Sequence, residues 1–265
     1  MTKNEYILPL ADARAAQLAV AGGKGASLAR LTAAGLPVPR GFVIATAAYQ
    51  QFMQDNDLEP RLLTALERVD AAQPATLEAA SAAIGAHFSG VPLPGAINEA
   101  VRRAYAELGQ GDLAVAVRSS ATAEDLPGMS FAGQQETYLN LRGEEALLEG
   151  VRSCWASLWT ARAIGYRFRM GIDQQSVSMA VVVQRMVRPN VAGVLFTANP
   201  TTGERTELVV DASYGLGEAV VSGLVTPDRL VIDKATLVVK EAVLGAKEVA
   251  ILPSDEQGTV TEAVP

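Results

Sequence analysis

Cysteine and histidine are almost missing from this chain of 265 residues, which has one of each, Cys154 and His87. A single cysteine excludes a disulfide framework within the chain and fits a reducing compartment. Cys154 sits in an apolar helical pattern beside Trp155 and reads as a small buried hydrophobe rather than a nucleophile. His87 lies in an alanine-rich block and reads as structural. No apolar run approaches the ~18 residues of a membrane-spanning helix. The opening MTKNEYILPL has no apolar core long enough for a secretory signal, so the expected location is cytoplasmic, with no membrane partner. Positive charge is in deficit: 22 basic against 29 acidic residues give a net charge of −7, which argues against nucleic acid as a partner. The arginines between 152 and 188 read as a solvated, ion-paired helix face.

Two phosphate-binding motifs are lacking as well. Lys24 stands in Gly22-Gly23-Lys24-Gly25 without the earlier glycine of a P-loop, and Gly215-Leu216-Gly217-Glu218 is only half of a G-x-G-x-x-G. A P-loop kinase and a Rossmann dehydrogenase are therefore disfavoured.

What is present is a chain with 49% hydrophobic residues, enough for a real core in one large domain or two lobes. Tyr6–Leu10 reads as a first strand, Lys24–Ala34 as a helix opened by the glycines, and Gly41–Ala45 as a second strand. Thr46 is placed to cap a helix over Ala47–Gln54. Residues 59–109 form an alanine-rich helical block, broken near Gln73-Pro74 and at 90–94. Glu144–Met170 reads as amphipathic helix, with Trp155 and Trp159 one turn apart for core packing. From 176 the pattern turns to β: Ser176–Gln184, Ala192–Thr197, Thr206–Asp211, Arg229–Asp233 and Leu237–Lys240. The tail after Gly245 shows no closing element. The expected hinge is Gln184–Pro189.

The most informative stretch is 115–141, VAVRSSATAEDLPGMSFAGQQETYLNL. A strand over Leu113–Val117 delivers Arg118 to a loop of Ser119, Ser120, Thr122, Gly128, Ser130 and Gly133, and a second strand returns over Glu136–Leu141. Arginine brings paired planar donors and a permanent charge, and glycines let backbone N–H groups approach phosphate oxygens. The same residues would also serve a long surface connection. Gly22–Gly25 at a helix start favours anions, with Lys24 as a mobile charge. Val181–Val187 is a buried strand that ends at Gln184-Arg185, where backbone groups could meet a base edge. Asp211 near the 215–218 turn is a carboxylate of the kind Mg²⁺ uses. Each cue is weak alone.

Together, GGKGASL, GLPVPRGFVIATAAY, AVRSSATAEDLPGMSFAGQQETYLN, VVVQRMV and GLGEAVVSGLVTPD occur in one order. This order resembles the N-terminal ATP-binding domain of the phosphoenolpyruvate synthase/pyruvate phosphate dikinase family, which rifampicin phosphotransferases share. The resemblance covers about residues 6–265. It implies an α+β fold of ATP-grasp type in two lobes: 1–187, including the helical block 59–109, and 188–265 as part of a second, incomplete β-rich lobe. It also implies ATP with Mg²⁺ as cofactors. Carried over residue by residue, Lys24 and Arg118 would be the catalytic cations and would bind ATP together with Gly133, Thr137 and Gln184.

The family's metal-binding glutamate and Gln-x-Arg motif, in segments reading like "DIEWA" and "QARP", do not occur in these 265 residues, so the metal ligands stay unassigned. His87 matches no carrier-histidine motif. The expected function is thus the ATP-binding portion of a dikinase that phosphorylates a carrier histidine on another domain, in cis or in trans, and then pyruvate, releasing AMP and phosphate. The small-molecule acceptor would be held by other domains. One alternative is the matching portion of a rifampicin-type antibiotic phosphotransferase. Another is a nucleotide-binding module without catalysis.

Overall fold

The computed structural model describes residues 6–122 and 136–264. The chain is α+β and divides into two compact units, Met1–Met186 and Val187–Pro265.

The first unit is built on a five-stranded sheet. Its strands are β1 (Ile7–Pro9), β2 (Gly41–Ile44), β3 (Val115–Ala121), β4 (Thr137–Leu141) and β5 (Met179–Arg185), in the order β1-β2-β5-β3-β4 with every neighbour antiparallel. Successive strand residues face opposite sides, and the two sides are packed differently. Phe42, Ile44, Val115, Val117, Val181 and Val183 join the large core formed with the helices α2 (Thr46–Asp55), α3 (Leu58–Leu66), α4 (Pro74–Ser89), α5 (Gly95–Leu108), α6 (Glu144–Ser157) and α7 (Ala161–Met170). Trp155 centres that core, with ring centroids 4.8 Å from Phe52 and 6.1 Å from Tyr49. Val43, Ala180 and Val182 face the other way and pack on Ala21 and Ala29 of α1 (Leu18–Ala33) and on Ala15 of the preceding 3-10 turn.

The alanine-rich block breaks where proline and glycine require it. Pro74 opens α4, where a missing N–H does no harm, and Gly90 follows its end. The expected single helix over Glu144–Met170 is two. Trp159 and Thr160 leave the helical path, the Thr160 hydroxyl accepts from Ala163 N to start α7, and Gly171 ends it in the left-handed region (φ 65°). Thr46 is not a cap. Ala45 holds that position, and the Thr46 hydroxyl donates to the carbonyl of Ala19 at 2.8 Å.

The second unit is a four-stranded antiparallel meander of β6 (Val191–Phe196), β7 (Glu207–Tyr214), β8 (Asp228–Asp233) and β9 (Val239–Val243), with one helical turn, α8 (Glu218–Val221). The tail does carry a closing element, the hairpin β10 (Val249–Pro253) and β11 (Thr259–Ala263). It is tied back by a hydrogen bond from Leu216 N to Ile251 O (2.8 Å). Gly215 makes that approach possible: its φ is 73°, and a Cβ there would stand 2.3 Å from Ile251 O.

Candidate functional site

β3 runs to Ala121, further than the hydroxyl-rich sequence indicated, so Arg118, Ser119 and Ser120 are strand residues rather than loop residues. Both serines are fully buried, and their polar atoms are satisfied. Ser119 Oγ donates to Glu136 O at 3.1 Å, and Ser120 Oγ donates to Ala21 O at 2.7 Å. Hydroxyls that suit a loop in sequence suit a buried strand once each has a partner.

Register decides which side chains share a face. On β5, Arg118 stands opposite Val182, and Ala116 opposite Gln184. Val182 packs on the α1 side of the sheet. Arg118, Ser120 and Gln184 therefore project to that side, while Val115 and Val117 project into the helical core.

Thr137 joins them through an irregularity. Val115 pairs with Leu141 but Val117 pairs with Tyr138, so β4 holds one extra residue, and Asn140 there has a φ of 56°. Asparagine tolerates that left-handed conformation better than most residues. A bulge turns the strand over by one position. Tyr138 and Leu141, three apart, both pack on the helical core, and burial pushes the Tyr138 phenol up to about 12. Thr137 lands directly opposite Arg118 on the α1 face. Simple alternation along 136–141 places Thr137 with Leu139 and Leu141, which is incorrect.

The Lys24 segment of α1 is bonded to β3. The helix does not open at the glycines; it begins at Leu18 and is broken at Gly22 (φ 67°, ψ −179°) before resuming. Gly25 N donates to Ser120 Oγ at 3.0 Å, so the residue after Lys24 is bonded to β3 two positions beyond Arg118. Four of the five expected ATP residues, Lys24, Arg118, Thr137 and Gln184, thus belong to one face of the first unit's sheet or to the helix bonded to it. Gly133 lies outside the described residues.

Gln184 and Asp211 already have partners. Gln184 is buried, and its amide already donates to Pro39 O at 3.2 Å. The next two backbone donors are also engaged, Arg185 N with Arg40 O and Met186 N with Ala114 O, both at 2.9 Å. A base edge meeting this strand end would have to use groups other than these two backbone N–H donors, such as Gln184 Oε1, its second N–H or carbonyls. Asp211, weighed as a metal ligand, stands within β7 rather than beside a turn. It is bidentate to Arg229, at 2.7 and 2.8 Å, and those bonds hold its carboxyl below the usual carboxylate range. Among the described residues, no three His, Cys, Asp or Glu side chains gather as a metal site.

The arginine cluster is not uniformly a solvated face either. Arg167 is fully buried, stacked 5.0 Å from the Trp159 ring centroid, with Nε on Gln174 Oε1 (2.6 Å) and Nη1 on Leu158 O (2.8 Å). Burial lowers its guanidinium to about 10. Cys154 is buried too, and that burial pushes its thiol up, away from the reactive thiolate. No helix among the described residues is long and apolar enough to cross a membrane.

The sequence that builds this α+β frame is similar to those of known proteins. Residues 18–265 match the family described as "Pyruvate phosphate dikinase, AMP/ATP-binding domain", and the chain belongs to that family of nucleotide-binding domains. A probable phosphoenolpyruvate synthase of Methanothermobacter thermautotrophicus is 47% identical over 250 residues, 93% of this chain and 36% of the relative. The phosphoenolpyruvate synthase of Pyrococcus furiosus is 41% identical over 279 residues, 92% of this chain and 34% of the relative. A rifampicin phosphotransferase of a Streptomyces species is 48% identical over 235 residues, 88% of this chain and 27% of the relative. The chain thus spans about a third of the length of the two synthases and about a quarter of the phosphotransferase. It corresponds to the AMP/ATP-binding domain of that family.

Proposed function

We propose that the Arg118 face of the first unit's sheet receives the phosphate chain of ATP, in a domain of ATP-grasp type. The observation that carries this reading is the common face of Arg118, Thr137 and Gln184, with the Lys24 segment bonded to it through Ser120. Phosphoryl transfer is dominated by positioning and charge neutralisation, and Lys24 and Arg118 supply two cations of different kinds. Arginine offers a rigid fork of donors and lysine a compact, mobile charge. Thr137 adds a hydroxyl opposite Arg118. Gln184 contributes mainly by fixing the strand end, because its amide is held by Pro39. Mg²⁺ would travel with the nucleotide phosphates. Asp211 is committed to Arg229 and is not offered as its ligand.

In the whole protein, a carrier histidine elsewhere would take the phosphoryl group and pass it to pyruvate, with AMP and phosphate released. His87, half-buried on α4, matches no carrier-histidine motif. The identity to a rifampicin phosphotransferase supports a second reading, with the same nucleotide chemistry and an antibiotic acceptor. Parallel assays of the whole protein with pyruvate and with rifampicin separate the two. Arg118→Ala should reduce nucleotide-dependent turnover by a factor of about 100 or more, the scale for losing a preorganised charge at a transferring group. Near-normal turnover would refute the reading.

A further inference from the structure

In a continuous helix, Ala21 C=O would accept from Gly25 N–H, four residues on. Here that bond is replaced by a bridge. Gly25 N–H donates to Ser120 Oγ at 3.0 Å, and the same hydroxyl donates to Ala21 O at 2.7 Å. A side chain inserted into the helical ladder is a recognised cause of a sharp kink. The kink is at Gly22, inside the bridged span, and the backbone there takes a φ of 67°. The fit is tight: a Cβ on Gly22 would stand 2.1 Å from Ser120 O. One turn earlier, the carbonyl of Ala19 is taken by the Thr46 hydroxyl. Two side-chain hydroxyls, from β3 and α2, thus hold carbonyls on the N-terminal side of the break, and Lys24 follows immediately after it.

We propose that Ser120 is the positioning residue for Lys24: its inserted hydroxyl holds α1 open at Gly22, and so fixes where the lysine stands relative to Arg118, two positions back on the same strand. This rests on the nucleotide reading given above. Without the hydroxyl, Ala21 C=O and Gly25 N–H can close directly into an ordinary helical bond. Gly22 would then leave the left-handed region, and every residue after it would be reoriented, Lys24 being the first with a side chain.

The test uses the 265-residue chain and its Lys24→Ala, Ser120→Ala, Ser120→Cys and double Lys24→Ala/Ser120→Ala variants. ATP and adenosine are titrated calorimetrically, and amide hydrogen exchange of the 20–28 segment is followed without ligand. Ser120→Cys fills nearly the same space with a weak hydrogen-bonding group, so the question stays answerable if the alanine variant folds poorly. Each serine variant should weaken ATP by about tenfold and adenosine by less than about twofold, because Lys24 acts on phosphates. The double variant should bind ATP no more weakly than Lys24→Ala, the signature of a residue acting through another. The 20–28 segment should exchange differently in both serine variants. Unchanged exchange, equal losses for ATP and adenosine, or additive losses in the double variant would overturn the role of Ser120. A wild-type chain that fails to bind ATP would instead overturn the nucleotide reading, and the exchange measurement would still decide whether Ser120 holds the kink.

Discussion

The two units hold their sheets by different means. In the first, both faces of the sheet are covered, and its strands carry fully buried Val43, Val117, Val181 and Val183. In the second, Val191, Leu195, Val239 and Val243 stand exposed on the strands. Charged pairs tie the strands there: Arg229 of β8 to Asp211 of β7, and Lys240 of β9 across β8 to Glu207 of β7, with Lys247 to Asp228 at the end of the meander. Burial is indifferent to pH and strengthens with packing, whereas exposed or half-exposed ion pairs weaken with salt and acid. The same chain should therefore respond to one change of solvent in two ways.

The sharpest way to break this contrast is Trp155→Ala. Removing a buried tryptophan from a packed core costs about 3–5 kcal/mol. Both tryptophans belong to the first unit, so urea unfolding followed by Trp159 fluorescence reads that unit alone. A loss under about 1 kcal/mol would mean that burial is not what holds it.

Asp211→Asn comes next, with an expected loss of about 1–2 kcal/mol at neutral pH, reduced because Arg229 is half exposed. Hydrogen exchange of the 207–233 segment reads it. Arg229 depresses the Asp211 pKa in the folded state. The pair thus contributes fully above the unfolded carboxylate value of about 3.9 and is lost as pH falls below it, through the folded value. The gap between variant and wild type should hold from pH 7 to about 5 and close in stronger acid. A gap that widens toward acid would reverse the assignment.

Thr46→Val is the smallest of the three, at about 1 kcal/mol, for one hydroxyl bond to a helix carbonyl. A loss above about 2 kcal/mol would show that polar clamps matter in the first unit as much as apolar contacts do.

Much of the frame was legible because proline, glycine and valine act locally. Pro74 begins a helix and Gly171 ends one by their own backbone geometry, and the valine run over 180–183 suits a buried strand. What escaped depended on partners distant in sequence. Ser119 and Ser120 look like loop residues until Glu136 O and Ala21 O accept their hydrogens. Asp211 looks like a metal ligand until Arg229 arrives, 18 residues on. The hairpin over 249–263 is thin in core residues and becomes visible only through its pairing. For the candidate site, residue types were readable from the motifs, whereas their common face was not. That face rests on strand register, and on a bulge that no alternation rule anticipates.

The bulge at Asn140 makes β4 unlike the rest of the sheet in how it can change over generations. Substitutions along it alter one contact at a time. Closing the bulge without losing a residue would instead invert everything upstream in the strand, sending Thr137 inward to the hydrocarbon and Tyr138 outward to face Arg118. Losing one of residues 139–140 together with the bulge would leave Tyr138 opposite Val117 and Thr137 opposite Arg118. The stretch can therefore hold two residues with a bulge or one without it, a discrete choice rather than an adjustable one. A lineage could remodel the chemistry around Arg118 freely by exchange of side chains, yet change the strand here only by a whole residue.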